Sequence, residues 1–260
     1  EIYSKINNFS FISTQGVLPD FGIDKEAYDS FKTTNLFALQ ERESLTAQEI
    51  ADAAYKDLDR AEALNIGAAT SINHISKGFG ALLDKLNKEE LENFTCFHGN
   101  QIGRRQRLAG IHYLDNIFDL KEKNRLDHIT GRFSSVKKNS DNEYYLEYKD
   151  TATSENKRYK KPTHVLLNCV GSTNLQKDDV PVLIKNLIKK NLCKPNKSQL
   201  GFYVNDALEA SKNLHIVGPL VAGNIIKNRG IWHVEHCGRI IWLSKILAES
   251  LQAEMIPSRN

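Results

Sequence analysis

The chain has 260 residues, 40% hydrophobic and 26% charged, close to the globular average and ample for the core of one large domain or two small ones. Its 35 basic and 32 acidic residues leave a formal charge of +3, too balanced to argue for a nucleic-acid groove or a membrane surface. The four cysteines, Cys96, Cys169, Cys193 and Cys237, form no C-x-x-C pair, which argues against a zinc site and a redox dithiol and suits a reducing, cytoplasmic setting.

No run approaches the roughly 20 apolar residues of a membrane span. The start, EIYSKINNFSF, lacks the basic and apolar regions of a signal peptide. Because residue 1 is not Met, the chain is expected to be an expressed segment, a processed product or one domain of a longer protein.

NNFSFIST alternates and is rich in β-formers, so a strand is expected there, breaking at QGVLPDFG. Ser44 to Leu64 reads as a helix: Thr46 is an N-cap with Glu49 three residues on, and Ile50, Ala54, Leu58 and Ala61 make an apolar stripe. GFGALLDKLNKEELENF is a second helical stretch, and after GNQIG comes the cationic RRQRLAGIHYLDNIFDL. Residues 1–125 are therefore mainly helical with an N-terminal strand, and character changes for 126–260. There HITGRFSSVKK, EYYLEYKD and KRYKKPTHVLLNCVG read as three strands, with NSDN as the hairpin turn between the first two.

The wholly apolar THVLLNCVGST implies a strand buried on both faces, as in a parallel sheet, ending at Gly171 and Ser172. On the same reading Cys169 and Cys237, within apolar runs, belong to the core. DDVPVLIKNLIKKNL is helix-compatible, GFYVND a short strand and LHIVG a buried strand that opens onto Gly218, Pro219, Gly223 and Asn224. GIWHVEHCGRIIWLSKILAESLQ repeats apolar positions at helical spacing, and the last helix is expected to begin between Asn224 and Trp232.

A β-meander, then LLNCVGS, then GFYVNDALEASKNLHIVGP and a glycine-rich loop feeding a last helix resembles the C-terminal part of FAD/NAD(P)-binding flavoprotein oxidoreductases. FSFISTQGVLP is similar to their strand followed by Ser-Arg-x-Gly-x-x-Pro. The resemblance implies an α/β class: a partial Rossmann-like flavoprotein fold with a helical first half, a β-meander and a C-terminal helix. It also implies FAD and NAD(P)H as cofactors, a small-molecule substrate, and an upstream FAD-binding segment in the same chain or paired to it.

In such proteins the backbone after the last buried strand passes under the cofactor, and the next helix aims roughly half a positive charge at it. Gly171, Ser172, Gly218, Pro219, Gly223 and Asn224 would then line one crevice; the other reading is an ordinary turn, where glycine is common. His233 would stand near the flavin C2 carbonyl, while Arg104 and Arg105 would clamp a phosphate, or merely solvate a loop. No acid stands among Ser13, Thr14 and Gln15 after the first strand, which favours NADPH over NADH.

The chain also departs from the family. The fingerprint G-x-G-x-x-G is absent, and Pro219 stands where many relatives keep an aspartate for the ribityl chain. WHVEH places His233 and His236 at i, i+3, but neither H-E-x-x-H nor H-x-x-E-H occurs, so a metal is not expected. A G-x-S-x-G elbow is also lacking, which argues against a serine nucleophile. The function read from the sequence is the C-terminal portion of a flavin-dependent NAD(P)H oxidoreductase or monooxygenase-like protein. The alternatives are a non-catalytic nucleotide-binding or partner-docking module, and a helical adaptor with an appended sheet.

Overall fold

A computed structural model describes residues 5–167, 169, 174–234 and 237–255. The chain mixes helices with small sheets and divides into two compact units, Glu1–Ile23 with Arg107–Cys169 and Asp24–Gln106 with Val170–Asn260. Position 125/126, where the composition changes, lies inside the first unit.

In chain order come β1 (Phe9–Ser13), α1 (Lys25–Ser30), α2 (Thr34–Phe37), α3 (Ala47–Ala63), α4 (Ala68–Leu83), α5 (Lys88–Asn93), a π-helical turn (Phe94–His98) and α6 (Gly99–Arg104). Then follow α7 (Ile111–Glu122), β2 (Leu126–Lys138), β3 (Tyr144–Asp150), β4 (Asn156–Arg158) and α8 (Val182–Lys189). The last elements are β5 (Glu209–Ser211), β6 (Leu214–His215), a 3₁₀ turn (Gly218–Val221), β7 (Asn224–Ile226), β8 (Arg229–Ile231) and α9 (Cys237–Met255).

The first unit is a four-stranded sheet in the order β1-β2-β3-β4. β1 runs parallel to β2, with Phe9 opposite Leu126 and Ser13 opposite Thr130. Parallel neighbours need a crossover, and α7, with Leu114 and Leu120 buried, leads into β2. β2, β3 and β4 form the expected meander, and the turn at residues 139–142 closes as its sequence demands: Asn142 takes φ +64° and the Asn139 side chain accepts from the amides of Asp141 and Glu143 at 2.9 Å each.

One expectation for this unit fails. β4 ends at Arg158, and only single amide bonds, Tyr159 to the Leu146 carbonyl and Thr163 to that of Tyr144, continue beside β3. The chain then leaves the sheet, so the strand expected at THVLL is absent and Val165, Leu166 and Leu167 are 76%, 50% and 77% exposed. Apolar character allowed burial, but beyond the Thr163 amide bond the segment makes no ladder among the described residues. Gly171 and Ser172 lie outside the described residues. Cys169 and Cys237 are exposed thiols rather than core, and the buried ones are Cys96 and Cys193.

In the second unit, α3 is built as its sequence dictates. Thr46 accepts from the Glu49 amide at 3.2 Å and Glu49 reaches back to the Thr46 amide at 2.9 Å, a reciprocal capping box. Ile50, Ala54, Leu58 and Ala61 face a core that includes Leu36, Ile75, Phe79, Leu82 and Phe94. On the same helix buried Asp57 accepts from the amides of Asn35 and Leu36, supplying the cap that Thr33 does not give α2. The single helix expected over 78–94 is two, because Asn87 accepts from the Glu90 amide and starts α5 afresh.

The glycine-rich region also differs from expectation. GFYVND forms no ladder beyond a bridge from Phe202 to Pro195, and LHIVG contributes only the two residues of β6, paired with β5. Residues 224–231, where the last helix was to begin, form the β7–β8 hairpin, and α9 starts at Cys237. Asn228 and Lys227, both at positive φ, make the hairpin turn. That ladder wins over helix here because Ile226 and Ile231 enter a second core with Phe202, Leu208, Val221 and Leu243.

Candidate functional site

The loop from Gly218 to Asn224 has two different surroundings. Gly218 takes φ +75°, and a Cβ built on it would meet nothing within 4 Å. Gly223 takes φ +87°, and its Cβ would stand 2.6 Å from Ser198 Oγ and 2.7 Å from the Asn196 side-chain amide. Asn196, fully buried, donates to the Ala222 carbonyl at 2.6 Å and accepts from the amide and hydroxyl of Ser198. Asn224 donates to the carbonyls of Phe202 at 2.7 Å and Val221 at 2.8 Å, and accepts from the Val204 amide at 3.1 Å.

Glycine at 223 and asparagine at 224 are thus both engaged by the protein's own packing. The β7–β8 hairpin removes the helix N-terminus expected beside them, and with it the proposed anion site of this loop. Cys96, on the π-helical turn, donates to the Gly223 carbonyl, and burial together with Glu92 pushes its thiol up to about 11. It is a structural thiol, not a nucleophile.

The expected basic clamp is divided. Arg104 is exposed, whereas Arg105 is held by Asp59 at 2.8 Å and Glu62 at 2.7 Å, which engages its guanidinium with the protein's own carboxylates. Pro219 is exposed at the start of the 3₁₀ turn. His233 is half-buried; its carbonyl accepts from Arg239 at 2.6 Å, while the Arg239 guanidinium lies 4.6 Å from the Trp232 ring centre. His236 lies outside the described residues.

A second candidate lies in the first unit, at the carboxyl end of β1. Ser13 Oγ accepts from the Gly16 amide at 3.1 Å and stands 3.1 Å from His128 Nε2. Gly16 takes φ +64°, and a Cβ there would lie 2.1 Å from Thr130 Oγ1, so the turn requires glycine twice over. Burial and nearby Lys121 hold the His128 ring below the usual histidine range. Beyond the turn, Thr151 donates to the Thr14 carbonyl at 3.1 Å. A hollow of about 250 Å³ opens there, lined by Thr14, Arg132, Lys149, Asp150, Thr151 and Ser154.

The amino end of the same strand is closed by a polar network. Asp127 accepts from Lys161 Nζ at 2.6 Å, from Asn8 at 3.0 Å and from the Tyr159 hydroxyl, and Ser10 bonds the same hydroxyl at 2.8 Å. Lys161, then Tyr159 and Asn8, hold the Asp127 carboxyl below the usual carboxylate range. Sequence reasoning missed this network, Asn196 and the Arg132–Lys149 pair. The parallel pairing of β1 with β2 brings Asn8 and Ser10 to Asp127, the register of β2 on β3 sets Arg132 opposite Lys149, and Asn196 meets the Ala222 carbonyl 26 residues on through the packing of the second unit.

No family model matches the chain and no solved structure matches it. Uncharacterized proteins of Mycobacterium tuberculosis and Mycobacterium bovis are 28% identical over 256 residues, covering 98% of this chain and 48% of each relative. The chain thus spans about half the length of the curated relatives it matches. No helix among the described residues is long and apolar enough to cross a membrane.

Proposed function

We propose that the chain is part of a cytoplasmic flavin-dependent NAD(P)H oxidoreductase, with the first unit holding the nicotinamide nucleotide and Gly218 facing the flavin. The observation that carries this reading is the parallel β1–β2 pair ending in the Ser13–Gly16 turn. Ligands of open α/β sheets sit at the carboxyl ends of parallel strands, and a hollow opens beside this end. We read the arrangement as a partial Rossmann-like unit.

Among the described residues the fit to FAD rests on Gly218, whose left-handed backbone and open surroundings leave room for a flat ring. The chemistry a bound flavin would supply is acceptance of a hydride. This chain's part is to hold the nicotinamide nucleotide in the first unit and the flavin in the second. Purification with and without added FAD tests the reading: a flavin absorbance that stays with the protein and is bleached anaerobically by NADPH supports it. A colourless protein after incubation with FAD sinks it.

The internal filling of Gly223 and Asn224 favours a second reading, a nucleotide-binding module without redox activity. That module would bind a nicotinamide nucleotide and remain colourless.

A further inference from the structure

We propose that the hollow at the carboxyl end of β1 binds a phosphate monoester dianion between Arg132 and Lys149. Arg132 on β2 lies directly opposite Lys149 on β3 in the antiparallel register. Directly opposite residues share a face with their Cβ atoms about 5 Å apart, and like charges so placed destabilise a sheet. Both side chains are exposed, and among the described residues neither enters an ion pair.

The acids close by are committed elsewhere. Asp150 bonds Lys157 at 2.8 Å and accepts from the amides of Ala152 and Thr153, and these contacts pull its carboxyl down to about 2. Glu147, two positions before Lys149 on the same face, is held by Lys137 at 2.9 Å and Ser135 at 2.9 Å. A pair of facing cations thus lines a hollow together with the hydroxyls of Thr14 and Ser154.

A dianion is the ligand this arrangement fits. The planar guanidinium of Arg132 offers two parallel N–H donors to two phosphate oxygens, Lys149 adds a point charge on a third, and the ligand relieves the repulsion between them. A carboxylate would neutralise only one of the two cations. The site rests on the nucleotide reading of this strand end, for which it would select the 2′-phosphate of NADPH; free inorganic phosphate carries the same chemistry.

Titration calorimetry with NADP⁺, NAD⁺ and inorganic phosphate, on the wild-type chain and on the double variant Arg132→Gln/Lys149→Gln, tests the site. NADP⁺ is expected to bind at least about tenfold tighter than NAD⁺, with the advantage erased in the double variant and NAD⁺ binding unchanged. If inorganic phosphate binds as tightly as NADP⁺ and is lost in the variant, the site stands and its ligand is free phosphate. The site is overturned if neither NADP⁺ nor phosphate binds, or if the variant binds both as the wild type does.

The double variant is expected to melt no lower than the wild type, since it removes a like-charge pair; this controls for folding. A protein that stays colourless with FAD but loses NADP⁺ binding in the variant keeps the phosphate site and ends the oxidoreductase reading. A yellow protein bleached equally by NADH and NADPH, before and after the substitutions, does the reverse.

Discussion

The turn after β1 and the loop before β7 are both built on left-handed glycines, yet they differ in what each glycine makes room for. At Gly16 the missing side chain admits Thr130, and at Gly223 it admits Asn196 and Ser198, while at Gly218 it leaves empty space. A glycine is evidence for a ligand only where the vacated volume is not already filled by the chain. By that test the first unit offers a strand end with an open cationic hollow, and the loop before β7 offers Gly218.

Substitutions can break or sharpen this contrast. The largest effect is expected at Gly223→Val, where positive-φ strain adds to collision with Asn196 and Ser198; together these cost about 4 kcal/mol. Urea denaturation reads it, and a loss under about 1 kcal/mol would show that the loop relaxes away from Asn196. Asn224→Ala follows at about 2–3 kcal/mol, because it leaves buried carbonyls of Phe202 and Val221 and the Val204 amide without their partner.

Gly218→Val, with open space around it, should cost only about 1 kcal/mol of backbone strain. The same change should lower flavin content per folded molecule. Full occupancy in a slightly less stable variant would remove Gly218 from the cofactor's path.

Smaller effects concern the first unit. The Asp127 carboxyl is held below its ordinary value by Lys161, Tyr159 and Asn8, so its contribution is present above the unfolded pKa of about 4 and is lost as pH falls through the lowered folded value. Wild-type melting temperature should therefore exceed that of Asp127→Asn at pH 7, with the gap closing below about pH 4. A gap independent of pH would show that the network acts through neutral hydrogen bonds. Smallest of all, Leu167→Ser at an exposed position should change stability by less than about 0.5 kcal/mol, where the doubly buried strand expected from sequence would have lost several.

Much of the architecture was legible where it depends on neighbours in sequence. The capping box and apolar stripe of α3 lie within a few turns, and the 139–142 hairpin is specified by Asn139 and Asn142 themselves. The candidate site was less legible. Of the residues singled out, Gly218 keeps a surrounding compatible with a cofactor, Gly223, Asn224 and Arg105 are engaged by the protein, and Gly171 and Ser172 lie outside the described residues. Arg132 and Lys149 carried no motif, because a strand residue's cross-strand partner depends on register rather than spacing.

By itself the sequence determined the elements whose hydrogen bonds close locally: α3 from its cap and period, and the β2–β3 hairpin from its turn. It also determined that THVLL is apolar, because composition is a property of the residues. Tertiary structure alone decided that Val165, Leu166 and Leu167 stay exposed, that residues 224–231 pair as a hairpin, and that Arg132 faces Lys149. Burial and charge proximity are properties of pairs distant along the chain, and the energy that decides them belongs to the contact rather than to either residue.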